Sequence, residues 1–104
     1  MTIYVSGPMS GLPNNNVPAF TKATKALRKK GYRVVNPAEL DKNEPCRTWE
    51  DCLRRDIRQL TKCTDVATLP GWTKSRGAVL ELHIAKALSF GIHPLAYYLE
   101  RRKK

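Results

Sequence analysis

Near its amino terminus the chain reads TIYVSGPMSGLPNN over residues 2–15. Residues 2–6 include β-branched and aromatic side chains, which favours a short strand. Residues 7–15 combine two glycines, two prolines and three polar turn formers, which predicts a loop. A helix from about Pro18 to Gly31 follows, because proline suits the first helical turn and glycine suits the helix end. This strand–loop–helix order is typical of a parallel α/β sheet.

Strands and helices continue to alternate along the rest of the chain. The pattern predicts strands at residues 32–35, 65–69 and 92–98, helices at 48–63 and 77–90, and an irregular segment at 37–47. We therefore expect an α/β fold, a small Rossmann-like (flavodoxin-like) parallel sheet of four to five strands flanked by helices. Ligands bind beyond the carboxyl ends of such strands, so a site is expected in the loops that follow them.

The length of 104 residues predicts one domain at residues 1–98 and a basic tail at 99–104. No apolar run approaches the ~18 residues of a membrane span, and no basic signal-peptide segment opens the sequence. We therefore expect a cytoplasmic protein without membrane contact. Three cysteines without an export signal argue against a disulfide framework, and Cys52 and Cys63 are expected to be small buried side chains. His83 and His93 lack a partner motif, so no metal site is predicted.

The formal net charge of +10 suggests a phosphate-bearing ligand or a polyanionic partner. Part of this charge has a structural explanation, because residues 28–30 end a helix, where cations complement the helix dipole. Residues 101–104 have the composition of a solvated tail. No aromatic side chains are interleaved with the basic stretch of the middle helix, so we favour a small ligand over a nucleic acid.

Asp56 interrupts the apolar face of the helix predicted at residues 48–63. At about 100° per residue it falls between Leu53 and Leu60. The opposite side carries the other charged residues: Glu50, Asp51, Arg54, Arg55, Arg58 and Lys62. An ionised carboxylate on an inward face is costly unless it is paired. Asp56 therefore either bonds a nearby backbone group or serves a site with a shifted pKa.

Glu81 repeats this anomaly as the only acidic residue between positions 77 and 90. Its face continues with Ala85 and Leu88, which predicts that the carboxylate points inward. Alternatively, Glu81 complements the positive end of the helix, about one turn away. Two inward carboxylates near the same strand ends suit glycosidic chemistry, in which one attacks the anomeric carbon and the other handles the proton.

Five short motifs give the chain a family resemblance over about residues 3–95. They read SGPM at residues 6–9, NPAE at 36–39, RRD at 54–56, LPGW at 69–72 and SRGAVLEL at 75–82. In combination they resemble the nucleoside 2-deoxyribosyltransferase superfamily, which includes the 2'-deoxynucleoside 5'-phosphate N-hydrolases. The chain is most similar to a short phage and bacterial branch of that superfamily.

The resemblance implies roles for individual residues. Glu81 matches the glutamate that attacks C1' of deoxyribose, Asp56 the aspartate that assists protonation of the leaving base, and Tyr4 a tyrosine near the nucleophile. Gly7 matches a first-loop glycine beside the sugar or phosphate. Residues 75–77 match a Ser-x-Gly whose amides and hydroxyl can hold a 5'-phosphate.

We expect substrate contacts from three loops. The candidate residues are Ser6, Gly7, Pro8, Met9, Ser10, Asn36, Trp72, Lys74, Ser75, Arg76 and Gly77. Ser10 stands where the resemblance implies an arginine in the phosphate hydrolases, and Lys74 or Arg76 could supply that charge. Trp72 either stacks on a base or anchors its loop in the core. Asn36 either closes the second strand or lines the pocket rim.

The leading hypothesis is an N-glycosidic bond hydrolase that acts on 2'-deoxynucleoside 5'-monophosphates. Its mechanism would use a covalent Glu81–deoxyribosyl intermediate, Asp56 as general acid/base, and no cofactor. The alternatives are a nucleoside deoxyribosyltransferase and a non-catalytic nucleotide-binding module. A basic nucleic-acid-associated protein is the third and less favoured class. The resemblance also implies a homo-oligomer (dimer or higher), in the host cytoplasm if a phage encodes it.

Overall fold

The computed structural model describes residues 1–101. Its strands are β1 (Thr2–Ser6), β2 (Arg33–Val35), β3 (Asp65–Thr68) and β4 (Gly91–Pro94). Its helices are α1 (Val17–Lys29), α2 (Pro37–Asn43), α3 (Trp49–Leu60), α4 (Arg76–Ala87) and α5 (Leu95–Glu100). The strands form one sheet in the order β2-β1-β3-β4, and every neighbouring pair is parallel. The predicted Rossmann-like α/β sheet is therefore confirmed, with four strands.

The inner strand β1 divides its side chains between two apolar cores. Ile3 and Val5 pack on one face, with residues of α1, α2 and α5. Tyr4 packs on the other face, with residues of α3 and α4 such as Leu82. Because side chains alternate along a strand, Ser6 points to the same face as Tyr4. This alternation brings two hydroxyl groups of β1 toward α4.

Both α3 and α4 begin with a side-chain cap. The Thr48 hydroxyl oxygen accepts a hydrogen bond from the backbone N–H of Asp51 at 3.0 Å. The Ser75 hydroxyl oxygen accepts one from the N–H of Ala78 at 3.2 Å. Each cap satisfies an amide that the helix itself leaves without a partner. The two caps determine where the helices that carry Asp56 and Glu81 begin.

Two of the expected local structures are wrong. Residues 37–43 form α2 instead of an irregular segment, because Asn36 Oδ1 accepts the N–H of Ala38 at 2.9 Å and Pro37 occupies the first helical position. The strand expected at 92–98 ends at Pro94, and α5 turns back over the sheet. Tyr98 is fully buried there and donates a hydrogen bond to Asp65 Oδ2 at 3.0 Å.

The cysteines also differ from expectation. Cys46 and Cys52 form a disulfide, with Cα atoms 5.1 Å apart, because the loop after α2 folds back onto the first turn of α3. Cys63 is free and buried as expected, and burial raises the pKa of its thiol to about 11. Within residues 1–101, no group of three or more His, Cys, Asp or Glu side chains is arranged to hold a metal ion.

Two further sequence expectations concern the membrane and the tail. None of the helices in the described part of the chain has both the length and the apolar character needed to cross a membrane. The basic tail expected at 99–104 starts inside α5, which runs to Glu100. Residues 102–104 lie outside the described residues.

A substitution at Gly7 tests how closely the end of β1 packs against its neighbours. A Cβ atom at Gly7 would lie 2.7 Å from Cβ of Leu69, whereas a Cβ at Gly77 would meet nothing within 4 Å. Gly7→Ala should therefore lower the free energy of unfolding by roughly 1–3 kcal/mol. Gly77→Ala, the matched control, should leave it unchanged or raise it by up to about 1 kcal/mol. Urea denaturation measures both, and equal stabilities would contradict this packing.

Candidate active site

A cleft of about 490 Å³ opens at the carboxyl-terminal edge of the sheet. It is bounded by the loop after β1, by α2 and α3, and by the loop that precedes α4. Ten of the candidate residues line it: Gly7, Pro8, Met9, Ser10, Asp56, Lys74, Ser75, Arg76, Gly77 and Glu81. The cleft therefore contains both carboxylates that interrupt apolar helix faces, in the position where parallel sheets bind ligands.

Glu81 is buried against the back of β1. Its side chain leaves α4 in the second turn, and the residue is 6 % exposed. The Tyr4 hydroxyl donates a hydrogen bond to Oε2 at 2.6 Å, and the Ser6 hydroxyl donates one to Oε1 at 2.8 Å. Both donors come from alternate positions of one strand, so the strand repeat itself fixes the carboxylate. Each oxygen can accept a further hydrogen bond, and Glu81 lines the cleft.

Burial raises the pKa of the Glu81 carboxyl from 4.5 to about 7. The hydrogen bonds from Tyr4 and Ser6 stabilise the ionised form and lower the pKa, whereas the negative charge of Asp56 raises it. Desolvation is the largest of these effects. Glu81 can therefore gain and lose a proton near neutral pH, which an exposed glutamate does not do.

Asp56 lies on α3 with 15 % of its side chain exposed, and it also lines the cleft. Arg55 donates two hydrogen bonds to the same oxygen of Asp56, Oδ1, from Nε at 3.0 Å and from Nη2 at 2.9 Å. Burial raises the pKa of Asp56 to about 6, and Arg55 limits the rise. The sequence left open whether Asp56 bonds a backbone group, and its hydrogen bonds within the described residues are with a side chain.

Arg55 is the residue of α3 whose environment differs most from the one predicted by helical periodicity. The map placed it with the solvent-facing charges, but it is buried, with 4 % exposure. Its Nη2 also pairs with Asp41 Oδ1 of α2 at 2.8 Å, and its Nη1 donates to the carbonyl oxygen of Glu44 at 2.9 Å. A helical map cannot detect this, because the partners belong to α2 and the loop after it.

Part of the cleft wall is basic. The guanidinium carbon of Arg76 lies 4.0 Å from the ring centroid of Trp49, so the cation stacks on the indole. Lys74 also lines the cleft. The helix α4 begins at Arg76, so the free amide groups of its first turn lie at the same part of the cleft. Two cations and the start of a twelve-residue helix favour an anionic group here.

Four candidate residues lie outside the lining of the cleft. Tyr4 and Ser6 reach the site only through their hydrogen bonds to Glu81. Asn36 is buried as the cap of α2. Trp72 packs against the core formed by α3, α4 and the sheet, which is the anchoring alternative for this residue. Base stacking by Trp72 therefore has no support from its position.

Sequence reasoning missed several residues that line the cleft. The most important are Asp41, Trp49 and Arg55. Asp41 belongs to the segment expected to be irregular, and Trp49 is the first residue of α3. The available signal was the pair Asn36-Pro37, since asparagine before proline is a typical helix start. Recognising α2 would have placed Asp41 near the cleft.

The buried carboxyl predicts how stability depends on pH. Because folding raises the pKa of Glu81, the folded state holds this proton more tightly, and the associated stability is present below pH 4.5 and lost as the pH rises through 7. The loss from Glu81 alone is on the order of 3 kcal/mol. Asp56 shifts in the same direction.

Glu81→Gln cannot ionise, so its free energy of unfolding should fall less than that of the wild type between pH 4.5 and pH 8. Chemical denaturation across this range measures both slopes. Glu50→Gln, at an exposed position on α3, is the control and should follow the wild type. Equal slopes for Glu81→Gln and the wild type would mean that Glu81 titrates as an ordinary glutamate.

Comparison with known proteins places the chain in a family. No curated protein sequence is similar to it at a significant level. Residues 1–93, which include every element from β1 to α4 and most of β4, match a family described as a domain of unknown function. The chain therefore belongs to the DUF4406 family.

Proposed function

We propose that the protein hydrolyses the N-glycosidic bond of 2'-deoxynucleoside 5'-monophosphates, with Glu81 as nucleophile and Asp56 as general acid/base. The observation that carries this proposal is the presence of two carboxyl groups in one cleft, each with a pKa raised toward neutrality. Carboxyl groups tuned in this way are typical of catalytic sites. The resemblance to the deoxyribosyltransferase superfamily supports the same residues in the same roles.

The reaction has two steps. First, an oxygen of ionised Glu81 attacks C1' of the deoxyribose while the C1'–N bond breaks, and its electron pair leaves with the base, which takes the proton of Asp56. Second, Asp56 removes a proton from water, whose oxygen attacks C1' and releases Glu81. The products are the free base and 2-deoxyribose 5-phosphate, and both carboxyl groups return to their starting states.

The two carboxyl groups form a coupled pair. Burial raises the pKa of both groups into the same range, to about 7 for Glu81 and about 6 for Asp56, so near neutral pH the pair can hold one proton between them. The first step needs this proton on Asp56. Positive charge that develops on the sugar favours the ionised form of Glu81, and the departing base favours the protonated form of Asp56. The transition state therefore favours the state in which the proton is on Asp56.

The basic wall supports a substrate with a 5'-phosphate. Arg76 and Lys74 can supply the positive charge that is missing from the first loop, where Ser10 replaces the arginine implied by the resemblance. The backbone amides at the start of α4 add hydrogen-bond donors for the phosphate. The phosphate would then anchor the nucleotide beside Glu81, which lies in the second turn of the same helix. A neutral nucleoside would not use these cations.

A nucleotide-binding module is the second candidate. The observation that favours it is the burial of Glu81, because burial raises the pKa of this carboxyl group to about 7 and a protonated carboxyl group is a poor nucleophile. Such a module would bind a nucleotide on the basic wall and leave it intact. Transfer to a second base, the reaction of a deoxyribosyltransferase, is distinguished from hydrolysis by adding a free base as acceptor.

We extend the proposal to a homo-oligomer in the cytoplasm, the host cytoplasm if a phage encodes the protein. A domain of this size gains stability from additional buried surface, and the apolar side chains of Val79 and Leu80 on α4 and of Leu88 directly after it are exposed. Because the cytoplasm keeps thiols reduced, we expect Cys46 and Cys52 to be a pair of neighbouring thiols there.

The direct test is the release of free base from a panel of 2'-deoxynucleosides and their 5'-monophosphates, followed by chromatography. We expect release from monophosphates, with a bell-shaped dependence of kcat/KM on pH whose limbs lie near the pKa values of the pair. Glu81→Gln and Asp56→Asn should lower kcat by roughly a hundredfold or more. Arg76→Ala should mainly raise KM for monophosphates.

Asp51→Asn and Glu50→Gln are matched controls, because both positions lie in the first turn of α3 outside the cleft lining, and both variants should keep wild-type kcat. Full turnover by folded Glu81→Gln and Asp56→Asn would refute the assignment of the site. Binding of a nucleotide without release of base would favour the binding module instead.

A further inference from the structure

Arg55 is the most constrained charged side chain of the described residues. It is almost completely buried, and its guanidinium group bonds partners on three segments: Asp56 on its own helix, Asp41 on α2, and the carbonyl of Glu44 in the loop between them. Nη1 also lies 3.3 Å from Sγ of Cys46, in the disulfide that ties this loop to α3. A buried arginine costs free energy unless its donors are satisfied, so this network is unlike an exposed ion pair.

The two oxygens of Asp56 have different environments. Both hydrogen bonds from Arg55 end on Oδ1, and no described residue donates one to Oδ2. No buried side-chain nitrogen or oxygen of residues 1–101 is without a partner. Oδ2 is therefore not completely buried, and Asp56 lines the cleft. One oxygen is held and the other is available.

We infer that Arg55 is a positioning residue, which holds Asp56 by Oδ1 so that Oδ2 faces the cleft and exchanges the proton with the leaving base. This role rests on the proposed function. In this role Arg55 itself contacts neither the sugar nor the base. It acts by fixing the rotamer of Asp56 and by setting the charge around it.

Four groups determine the charge around Asp56. They are Arg55 on α3, Asp41 on α2, Glu81 on α4 and Tyr4 on β1. Lys74 and Arg76 line the same cleft from the loop before α4 and from its first turn. Arg55 is the cation that bonds Asp56 directly, and it opposes the effect of burial. Without it, Asp56 should hold its proton to a higher pH and return it to solvent less readily.

Arg55→Gln removes the positive charge, whereas Arg55→Lys keeps the charge but loses the planar guanidinium group and its several N–H donors. For Arg55→Gln we expect the pKa of Asp56, followed by carboxyl carbon NMR, to rise by about 1–3 pH units. We also expect kcat to fall about tenfold or more with little change in KM, and the pH optimum to move upward. Arg55→Lys should keep the pKa of Asp56 near its wild-type value but should have only part of the wild-type kcat.

Arg54→Gln is the matched control, because Arg54 is the preceding residue but its side chain is 75 % exposed and pairs with Asp51. It should leave kcat, the pH optimum and the titration of Asp56 unchanged. A purely structural role for Arg55 predicts lower stability without a shift in the pKa of Asp56. If Arg55→Gln does not fold, Arg55→Lys tests the inference, because it keeps the cation but loses the geometry of the guanidinium group. Its kcat should then fall while the pKa of Asp56 stays near the wild-type value, and a wild-type kcat would overturn the inference.

The NMR titration of Asp56 can be measured whether or not the protein is catalytically active. A wild-type protein that releases no base would therefore contradict the proposed function, and the NMR measurement would still decide whether Arg55 controls Asp56. An unchanged pKa of Asp56 in Arg55→Gln, together with wild-type kcat and pH optimum in an active enzyme, would overturn the inference.

Discussion

The burial of the Glu81 carboxyl against β1 is the constraint on which the rest of the site depends. A carboxylate removed from water is tolerated only when donors replace the lost hydration. The alternation of β1 supplies two, because Tyr4 and Ser6 project toward α4 from an inner strand of the sheet. These donors hold the group in one position, but they do not cancel the cost of desolvation. The remaining cost appears as a raised pKa, and so as a proton that moves near neutral pH.

The second carboxyl group is positioned by a different principle. Asp56 is not deep in the core, and its geometry comes from an arginine that joins α2, α3 and the loop between them. The cleft therefore has an acidic centre and a basic wall, where Arg76 stacks on Trp49 and Lys74 lies nearby. Acids surrounded by cations suit a ligand with a negatively charged end and a reactive carbon that becomes positive during the reaction.

Much of this arrangement was accessible from the sequence, because it depends on local periodicity. Strand–helix alternation predicted the parallel sheet, and helical spacing identified Glu81 and Asp56 as inward acids. The missing parts depend on contacts between distant segments. Arg55 is buried because Asp41 meets it from another helix, and a helical map contains no such information. The strand predicted at 92–98 failed for a similar reason, since its aromatic residues pack over the sheet as α5, with Tyr98 bonded to Asp65.

The proposed mechanism requires a covalent bond between Glu81 and C1' of the sugar. Intact-protein mass spectrometry with a 2'-fluorinated deoxynucleoside 5'-monophosphate tests it most directly, because fluorine disfavours positive charge on the sugar and slows both steps. We predict a mass increase of one fluorinated sugar phosphate per chain, located on Glu81 by peptide mapping and absent from Glu81→Gln. An adduct on another residue, or release of base by a protein that never carries an adduct, would contradict a covalent mechanism at this carboxylate.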